Sequence, residues 1–285
     1  MNDNPLKKLE TLGQSIWLDY IRCDLITGGE LRRLIGEDGL RGMTSDPSIF
    51  EKAIAESSIY DQNIRDLAFR KTDAKVIHET ISRHDVQNAA DKFRSVYEKT
   101  DGKDRYVSPE ANPHLAHDTQ GTIEEARQLW FALKRPNVLI KIPATNDGLP
   151  AIRQLISEGI NVNVTLLFGL PRYRQVIKAY IAGINDRFDQ GKPIKNIASV
   201  ASFFLSCINA VIDPKKEKFI ALGGKQARFA TKIRGRLPFQ ALKLPIKFIK
   251  KHLKANSSLN WLIKVRCISD CFWPAPALKI PNNRK

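Results

Sequence analysis

The stretch NVLIKIPATNDGLPAI, residues 137–152, places Lys141 inside a run of branched apolar residues. Such a run is typical of a strand in a parallel sheet that is covered on both faces. An unpaired ammonium group buried there costs several kcal/mol, so the group must be paired or neutralised. A lysine that burial keeps neutral is a nucleophile able to form a Schiff base with a carbonyl substrate. The structural alternative is a lysine that is ion-paired or extends its ammonium group to the surface.

Short apolar runs alternate with amphipathic helical patterns over residues 1–235. The helical patterns include TIEEARQLWFALKR (122–135) and LPAIRQLISEGI (149–160). Repeated strand and helix predict an α/β fold with a parallel sheet. Six such units, with polar residues at the strand ends, favour a (β/α)8 TIM-type barrel over an open doubly wound sheet. The predicted strands are SIWLDY (15–20), LRGMT (40–44), RYVSPEA (105–111), VLIKIPA (138–144), NVNVTLLF (161–168) and ASVASFFL (198–205).

The positive charge of the chain is concentrated in its C-terminal tail. The net charge is +16, but residues 236–285 contain 11 of the 46 basic residues and one of the 30 acidic residues. Residues 1–235 carry the other 35 basic and 29 acidic residues, a balance of +6. Strong basicity usually indicates a nucleic acid or an anionic surface as partner. This distribution predicts no nucleic-acid partner for the folded region.

Several other classes of protein lack support in the sequence. The longest apolar candidate, residues 197–212, is interrupted by Ser, Cys and Asn, so we predict no transmembrane helix. The N-terminus has no apolar stretch that resembles a signal peptide. The four cysteines are too few and too scattered for a disulfide framework, which predicts a cytoplasmic setting. No glycine-rich nucleotide-binding motif follows any predicted strand.

Polar residues recur in the predicted strands. Successive side chains of a strand alternate between its faces, so Asn163 and Thr165 share one face. In a barrel the inward faces of neighbouring strands converge, which predicts a polar cluster around Lys141. Its other members are Asp19, Glu110 and Ser202.

Six segments of the chain resemble transaldolases, in a subfamily that includes bacterial enzymes fused to glucose-6-phosphate isomerase. The motif IKIPAT around the lysine is the most specific of them. The resemblance implies a barrel enzyme of the pentose phosphate pathway that needs no metal or cofactor. It would transfer a dihydroxyacetone unit from sedoheptulose 7-phosphate to glyceraldehyde 3-phosphate. The segments are SIWLDYIRCDLITGGEL, GLRGMTSDPSIFEKAI, YVSPEANPHLAHDT, VLIKIPATNDGLPAI, INVNVTLLF and SVASFFLS.

The resemblance also implies catalytic roles for four residues. Lys141 would be the nucleophile that forms the Schiff base. Glu110 and Thr165 would hold the water molecule that carries protons while the imine forms and hydrolyses. Asp19 would be the general base that accepts the hydroxyl proton as the carbon–carbon bond breaks. A carboxylate for each proton transfer agrees with the chemistry required.

Further residues would contact the substrate. Asn163 and Ser202 would hydrogen-bond the hydroxyl groups of the dihydroxyacetone portion, and Thr44 and Asp46 lie in TSDPS, which matches the family's T-S-N-P-S. Asp46 replaces an amide, and an ionised carboxylate cannot donate a hydrogen bond. Cys207 replaces an arginine that grips the substrate phosphate, a loss of about 1.5–3 kcal/mol for a charge-assisted bond. The sequence therefore predicts a weakened phosphate site.

The resemblance stops near Gly235, and the tail 236–285 has no clean helical or strand period. One codon choice for CFWPAPALKIP, read one base earlier, gives LLLASTSTKNP, which resembles the family's L-L-W-A-S-T-S-T-K-N-P. We therefore predict an out-of-frame tail and a barrel, residues 1–235, that lacks its last strands and has reduced or no activity.

Three alternatives stay open at this point. A related fructose 6-phosphate aldolase also uses a lysine, although Glu110 in the water-holding position favours transaldolase. The chain could also be an inactive remnant, or a basic binding protein that uses its tail. His114 and His117 are three residues apart, but no further ligand has a recognisable metal-site spacing, so no metal is predicted.

Overall fold

The computed structural model describes residues 4–45 and 47–233, together with the backbone of a strand at 263–268. The strands in these residues are β1 (Ile16–Asp19), β2 (Leu40–Thr44), β3 (Val107–Ser108), β4 (Ile140–Pro143), β5 (Val162–Leu167), β6 (Ser199–Phe204) and β7 (Ile263–Ile268).

Helices follow the strands along the chain. Two further turns, Ser58–Tyr60 and Pro113–Leu115, are 3₁₀ helices. None of the helices in the described residues is long and apolar enough to cross a membrane. The α-helices are α1 (Pro5–Thr11), α2 (Cys23–Thr27), α3 (Glu30–Glu37), α4 (Pro47–Ala55), α5 (Asp61–Phe69), α6 (Ala74–Lys99), α7 (Thr119–Leu133), α8 (Gly148–Glu158), α9 (Leu170–Asp189), α10 (Leu205–Leu222) and α11 (Gly224–Ile233).

The strands are all parallel and are arranged in chain order. Strands β1 to β3 form one ladder and β4 to β7 a second. Parallel bridges Val107↔Val138 and Glu110↔Lys141 join the two ladders. A helix follows each of the first six strands, so the six predicted strand–helix units are present. This is the arrangement of an incomplete (β/α)8 barrel, and the predicted parallel α/β fold is confirmed.

Strand β3 is shorter than the sequence predicted, and Pro109 explains the difference. Proline has no amide hydrogen and cannot donate to a ladder. Its carbonyl oxygen still accepts a hydrogen bond of 2.8 Å from the amide of Lys141. The chain therefore continues alongside β4 as far as Glu110, although the regular strand ends at Ser108.

Strand β7 corrects the prediction for the tail. It pairs with β6 from Ser199↔Ile263 to Phe204↔Ile268. The expectation that residues 236–285 hold no strand is wrong at these six residues. The rest of the tail lies outside the described residues, so the frameshift and the boundary at 235 stay predictions.

The interior of the barrel begins with an apolar layer near the N-terminal ends of the strands. The side chains of Tyr106, Leu139 and Val200 are buried together there, with Trp17 packed against them. Gly42 leaves room for the indole, because a Cβ atom at this position would overlap the ring of Trp17. We call Trp17, Gly42, Tyr106, Leu139 and Val200 the apolar layer.

A second core lies between the strands and the surrounding helices. Val138, Ile140 and Ile142 alternate with the residues that face the barrel interior, and all three are fully buried. They share one cluster with Ile152 and Leu155 of α8. Strand β4 is therefore covered on both faces, and this is what makes its lysine unusual.

Candidate active site

Lys141 lies in β4 with its side chain only 4% exposed. Its Nζ donates to the Oε2 of Glu110 at 3.3 Å and to the backbone oxygen of Ser45 at 3.2 Å. The side chain of Glu110 is 14% exposed. The resting lysine is thus ion-paired, as the structural alternative required, and its partner is one of the two carboxylates that the sequence predicted in this cluster.

The loop after β4 is folded tightly against the strand, and Gly148 permits this. A Cβ atom at Gly148 would overlap the carbonyl oxygen of Pro143. The hydroxyl of Thr145 accepts a hydrogen bond of 2.8 Å from the amide of Gly148 and donates to the oxygen of Ala116 at 2.6 Å. The residues TNDG of the opening motif therefore fix where β4 ends and α8 begins.

A directed chain of hydrogen bonds crosses the barrel beside Lys141. The hydroxyl of Ser202 donates to Oδ1 of Asn163 at 2.7 Å, and Nδ2 of Asn163 donates to Oγ of Ser108 at 2.9 Å. Ser108 in turn donates to the backbone oxygen of Leu139 at 3.0 Å. The three side chains belong to residues with 0% exposure. We call Ser108, Asn163 and Ser202, together with Lys141 and Glu110, the polar layer.

Ser108 is the member of this layer that the sequence analysis missed. Its carbonyl oxygen also accepts hydrogen bonds from the hydroxyl of Thr44, at 3.3 Å, and from the amide of Ser45, at 3.2 Å. Ser108 stands two residues before Glu110, so the period of two that grouped Asn163 with Thr165 could have placed it on the inward face.

The other predicted site residues lie at the same end of the barrel or outside the described residues. Asp19 ends β1, half-buried, with Thr44 as its partner in the ladder. Thr165 is 1% exposed on β5. It precedes Leu166, whose φ of 60° accompanies a register irregularity between β5 and β6. Strained backbone of this kind occurs often at functional sites. Asp46 lies outside the described residues.

Cys207 lies in the first turn of α10, after β6. The structure shows it as disulfide-bonded, a bond that the cysteine spacing did not indicate. His117 contacts Asp147 at 3.5 Å between exposed side chains. No three His, Cys, Asp or Glu side chains within the described ranges are grouped as a metal site.

A second buried polar pair lies outside the barrel interior. The hydroxyl of Tyr60 donates to Oδ2 of Asp85 at 2.7 Å and accepts a hydrogen bond of 2.9 Å from the amide of Cys23. Burial raises the pKa of Asp85, and the hydrogen bond from Tyr60 opposes this effect. Since Cys23 begins α2, the pair anchors the segment that follows Asp19.

These features define a class of protein: a parallel α/β barrel with a buried lysine–carboxylate pair near the carboxyl ends of its strands, an arrangement suited to Schiff-base chemistry. A family model described as Transaldolase/Fructose-6-phosphate aldolase matches residues 16–264. The chain therefore belongs to the transaldolase/fructose-6-phosphate aldolase family.

Named relatives place it among the transaldolases of that family. It is 42% identical over 282 residues to transaldolase 2 of Nostoc sp. PCC 7120, covering 98% of this chain and 74% of the relative. It is 44% identical to a transaldolase of Frankia alni, covering 75% of this chain and 58% of the relative. It is 48% identical to a transaldolase of Trichodesmium erythraeum, covering 75% of this chain and 56% of the relative. The chain thus spans between about half and three quarters of the length of these proteins.

Proposed function

We propose that this chain acts as a transaldolase. It would transfer a dihydroxyacetone unit from sedoheptulose 7-phosphate to glyceraldehyde 3-phosphate, giving erythrose 4-phosphate and fructose 6-phosphate. The observation that carries the proposal is the buried amine of Lys141 with the carboxylate of Glu110 at 3.3 Å. A pair of this kind supplies a nucleophile and an adjacent proton acceptor in one place.

In the first step the amine of Lys141 attacks the carbonyl carbon of the ketose. Glu110 accepts the proton that the ammonium group must lose, and a water molecule held by Glu110 and Thr165 carries protons to the departing oxygen. Loss of that oxygen as water leaves an imine between the lysine and the sugar. The position of Glu110, on the segment that continues β3 alongside β4, supports this role.

In the second step the carboxylate of Asp19 accepts the proton of the substrate hydroxyl next to the breaking bond. The carbon–carbon bond then breaks and an aldose leaves. The electron pair of the broken bond remains on the three-carbon unit attached to Lys141. This unit adds to the acceptor aldehyde, and hydrolysis of the new imine frees the product. Asn163 and Ser202 would hold the hydroxyl groups of the three-carbon unit throughout.

The phosphate end of the substrate is the part of the site that departs from the family pattern. With Cys207 in place of an arginine, we propose weakened binding of the phosphate. Thr44 and Asp46 are proposed as further substrate contacts. A cytoplasmic location, the absence of a nucleic-acid partner and the reduced activity expected from an out-of-frame tail also stay predictions.

Product analysis with and without an acceptor tests this function. The full chain is incubated with fructose 6-phosphate, first alone and then with erythrose 4-phosphate. A transaldolase gives sedoheptulose 7-phosphate only when the acceptor is present, whereas an aldolase releases free dihydroxyacetone without it. The matched control is Lys178→Met, which removes an exposed lysine of α9. Absence of sedoheptulose 7-phosphate from the complete mixture would refute the proposal.

The frameshift has a separate test. The gene is resequenced across the codons for residues 233–237. The new sequence either differs by one base, which restores the family's reading frame, or agrees with the present one and leaves the tail unchanged. A restored frame predicts higher transfer activity from the corrected chain. An unchanged sequence with full activity would contradict the predicted loss of activity.

A further inference from the structure

The hydrogen-bond chain through Asn163 has a direction that one backbone carbonyl imposes. The oxygen of Leu139 can only accept, so the single proton of the Ser108 hydroxyl is donated to it, at 3.0 Å. Towards Asn163, Ser108 can then only accept. It must therefore face the amide nitrogen of Asn163, and the distance of 2.9 Å to Nδ2 agrees.

The same constraint continues to Ser202. Because Nδ2 of Asn163 donates to Ser108, its Oδ1 faces Ser202. The hydroxyl of Ser202 donates its single proton to that oxygen at 2.7 Å. Asn163 keeps one N–H donor and one acceptor lone pair for a substrate, and the hydroxyl oxygen of Ser202 keeps only acceptor capacity. The donors and acceptors offered to a bound sugar are therefore set by Ser108.

We infer that Ser108 is a positioning residue for the donor ketose: it acts through Asn163 by fixing which end of that amide faces the substrate. The inference rests on the proposed function for its kinetic consequence. Ser108 is a residue with 0% exposure, and its hydroxyl already has one donor and one acceptor partner. When the hydroxyl of Ser108 is removed, the amide of Asn163 loses the contact that distinguishes its nitrogen from its oxygen.

The kinetic test compares Ser108→Ala with a matched control, Ser199→Ala. Ser199 is also a buried strand residue, 7% exposed, whose hydroxyl donates to a backbone oxygen, that of Val162 at 2.9 Å. Both variants lose a hydrogen bond to a backbone oxygen, and Ser108→Ala also loses the bond that its hydroxyl accepts from Nδ2 of Asn163. The Tm of Ser108→Ala is therefore expected to fall by at least as much as that of Ser199→Ala. Only Ser108→Ala is expected to raise the KM of the donor ketose, by about tenfold, with the KM of the acceptor aldehyde unchanged.

Two further variants separate positioning from a purely structural role. Ser108→Thr keeps the hydroxyl and suits a strand, so it is expected to restore the donor KM. In an Asn163→Ala background, Ser108→Ala is expected to have no additional effect on the donor KM, because the two residues act as one unit. Equal KM changes in the Ser108 and Ser199 variants, or independent effects of Ser108 and Asn163, would overturn the inference.

A measurement on the ligand-free protein tests the hydrogen-bond chain without any reaction. The side-chain amide protons of Asn163 are identified by NMR from their absence in Asn163→Ala. One of the two is expected to exchange slowly in wild type, Ser108→Thr and Ser199→Ala, and to lose this protection in Ser108→Ala. Retained protection in Ser108→Ala would overturn the inference, whereas a wild-type chain with this protection but no transfer activity would overturn only the proposed function.

Discussion

Along β3, β4 and β6 the apolar and polar layers lie two residues apart, yet they stabilise the barrel in different ways. Tyr106 and Ser108 share β3 and its N-terminal extension, and Leu139 precedes Lys141 in the same manner. The apolar layer is held by packing, with Trp17 filling the space above Gly42. The polar layer is held by hydrogen bonds and an ion pair.

The comparison shows that residues that pack the barrel interior and residues that form the proposed active site lie on the same face of a strand, only two positions apart. A buried ion pair is weak evidence for stability, because the desolvation of both charges offsets their attraction. The polar layer is therefore expected to contribute little to the free energy of unfolding and most of the activity. The apolar layer is expected to do the reverse.

The largest expected effect is that of Lys141→Met. Removing the nucleophile should lower transfer activity by at least about 10⁴-fold, because the proposed mechanism forms the imine on this amine. The variant should still fold, since the carboxylate left behind, Glu110, is 14% exposed and keeps some access to water. A discontinuous activity assay together with circular dichroism checks both points. Activity above one part in about a thousand would contradict the assigned role.

Glu110→Gln should have the next largest effect. The amide cannot accept the proton that the ammonium group of Lys141 must lose, so imine formation should slow by about 10²-fold or more. Rapid-quench trapping of the imine measures this rate directly. A normal rate of imine formation would show that another group accepts the proton.

Gly42→Ala tests the apolar layer. The new Cβ would overlap the indole of Trp17, and overpacking of this kind costs about 1–3 kcal/mol of unfolding free energy. Gly36→Ala is the matched control, because a Cβ there meets no atom within 4 Å and alanine favours a helix. Urea unfolding should show a loss for the first variant and no loss for the second. Equal stability of the two would remove the structural reason for Gly42.

Asp85→Asn has the smallest expected effect and concerns buried polar groups outside both layers. Because burial raises the pKa of Asp85, the folded chain binds this proton more tightly than the unfolded chain. The stabilisation that comes from proton binding by Asp85 is therefore fully present below pH about 4 and is lost as the pH rises through the folded-state pKa of this residue. The Tm of wild type should fall relative to that of the variant over this range.

A second substitution sharpens the same test. Tyr60→Phe removes the hydrogen bond that lowers the pKa of Asp85, so the pH dependence of Tm should become larger. Parallel Tm curves for wild type, Asp85→Asn and Tyr60→Phe between pH 4 and pH 7 would contradict the assigned burial effect.

The strands and the lysine could be predicted from the sequence because their signals are local. An apolar run bounded by turn residues located β2 at its observed bounds, Leu40–Thr44, and β4 within two residues. The convergence of Glu110 on Lys141 followed from the period of a strand and the geometry of a barrel.

The hydrogen-bond partners could not be predicted in the same way. The bond between Ser108 and Asn163 joins residues 55 positions apart, on strands separated by β4. From the sequence alone, the hydroxyl of a strand serine could equally be hydrogen-bonded to the backbone of its own strand or to that of a neighbouring strand. Only the register of three strands shows that Ser108 meets the amide of Asn163, and the position of β7 likewise depends on its pairing with β6.

Borohydride trapping is the most direct test of Schiff-base formation on Lys141. The full chain is incubated with fructose 6-phosphate and sodium borohydride, and the labelled peptide is located by mass spectrometry. We expect one reduced three-carbon adduct on Lys141 and none in Lys141→Met. An adduct on a different lysine, or no adduct in wild type under conditions where the chain is folded, would contradict it.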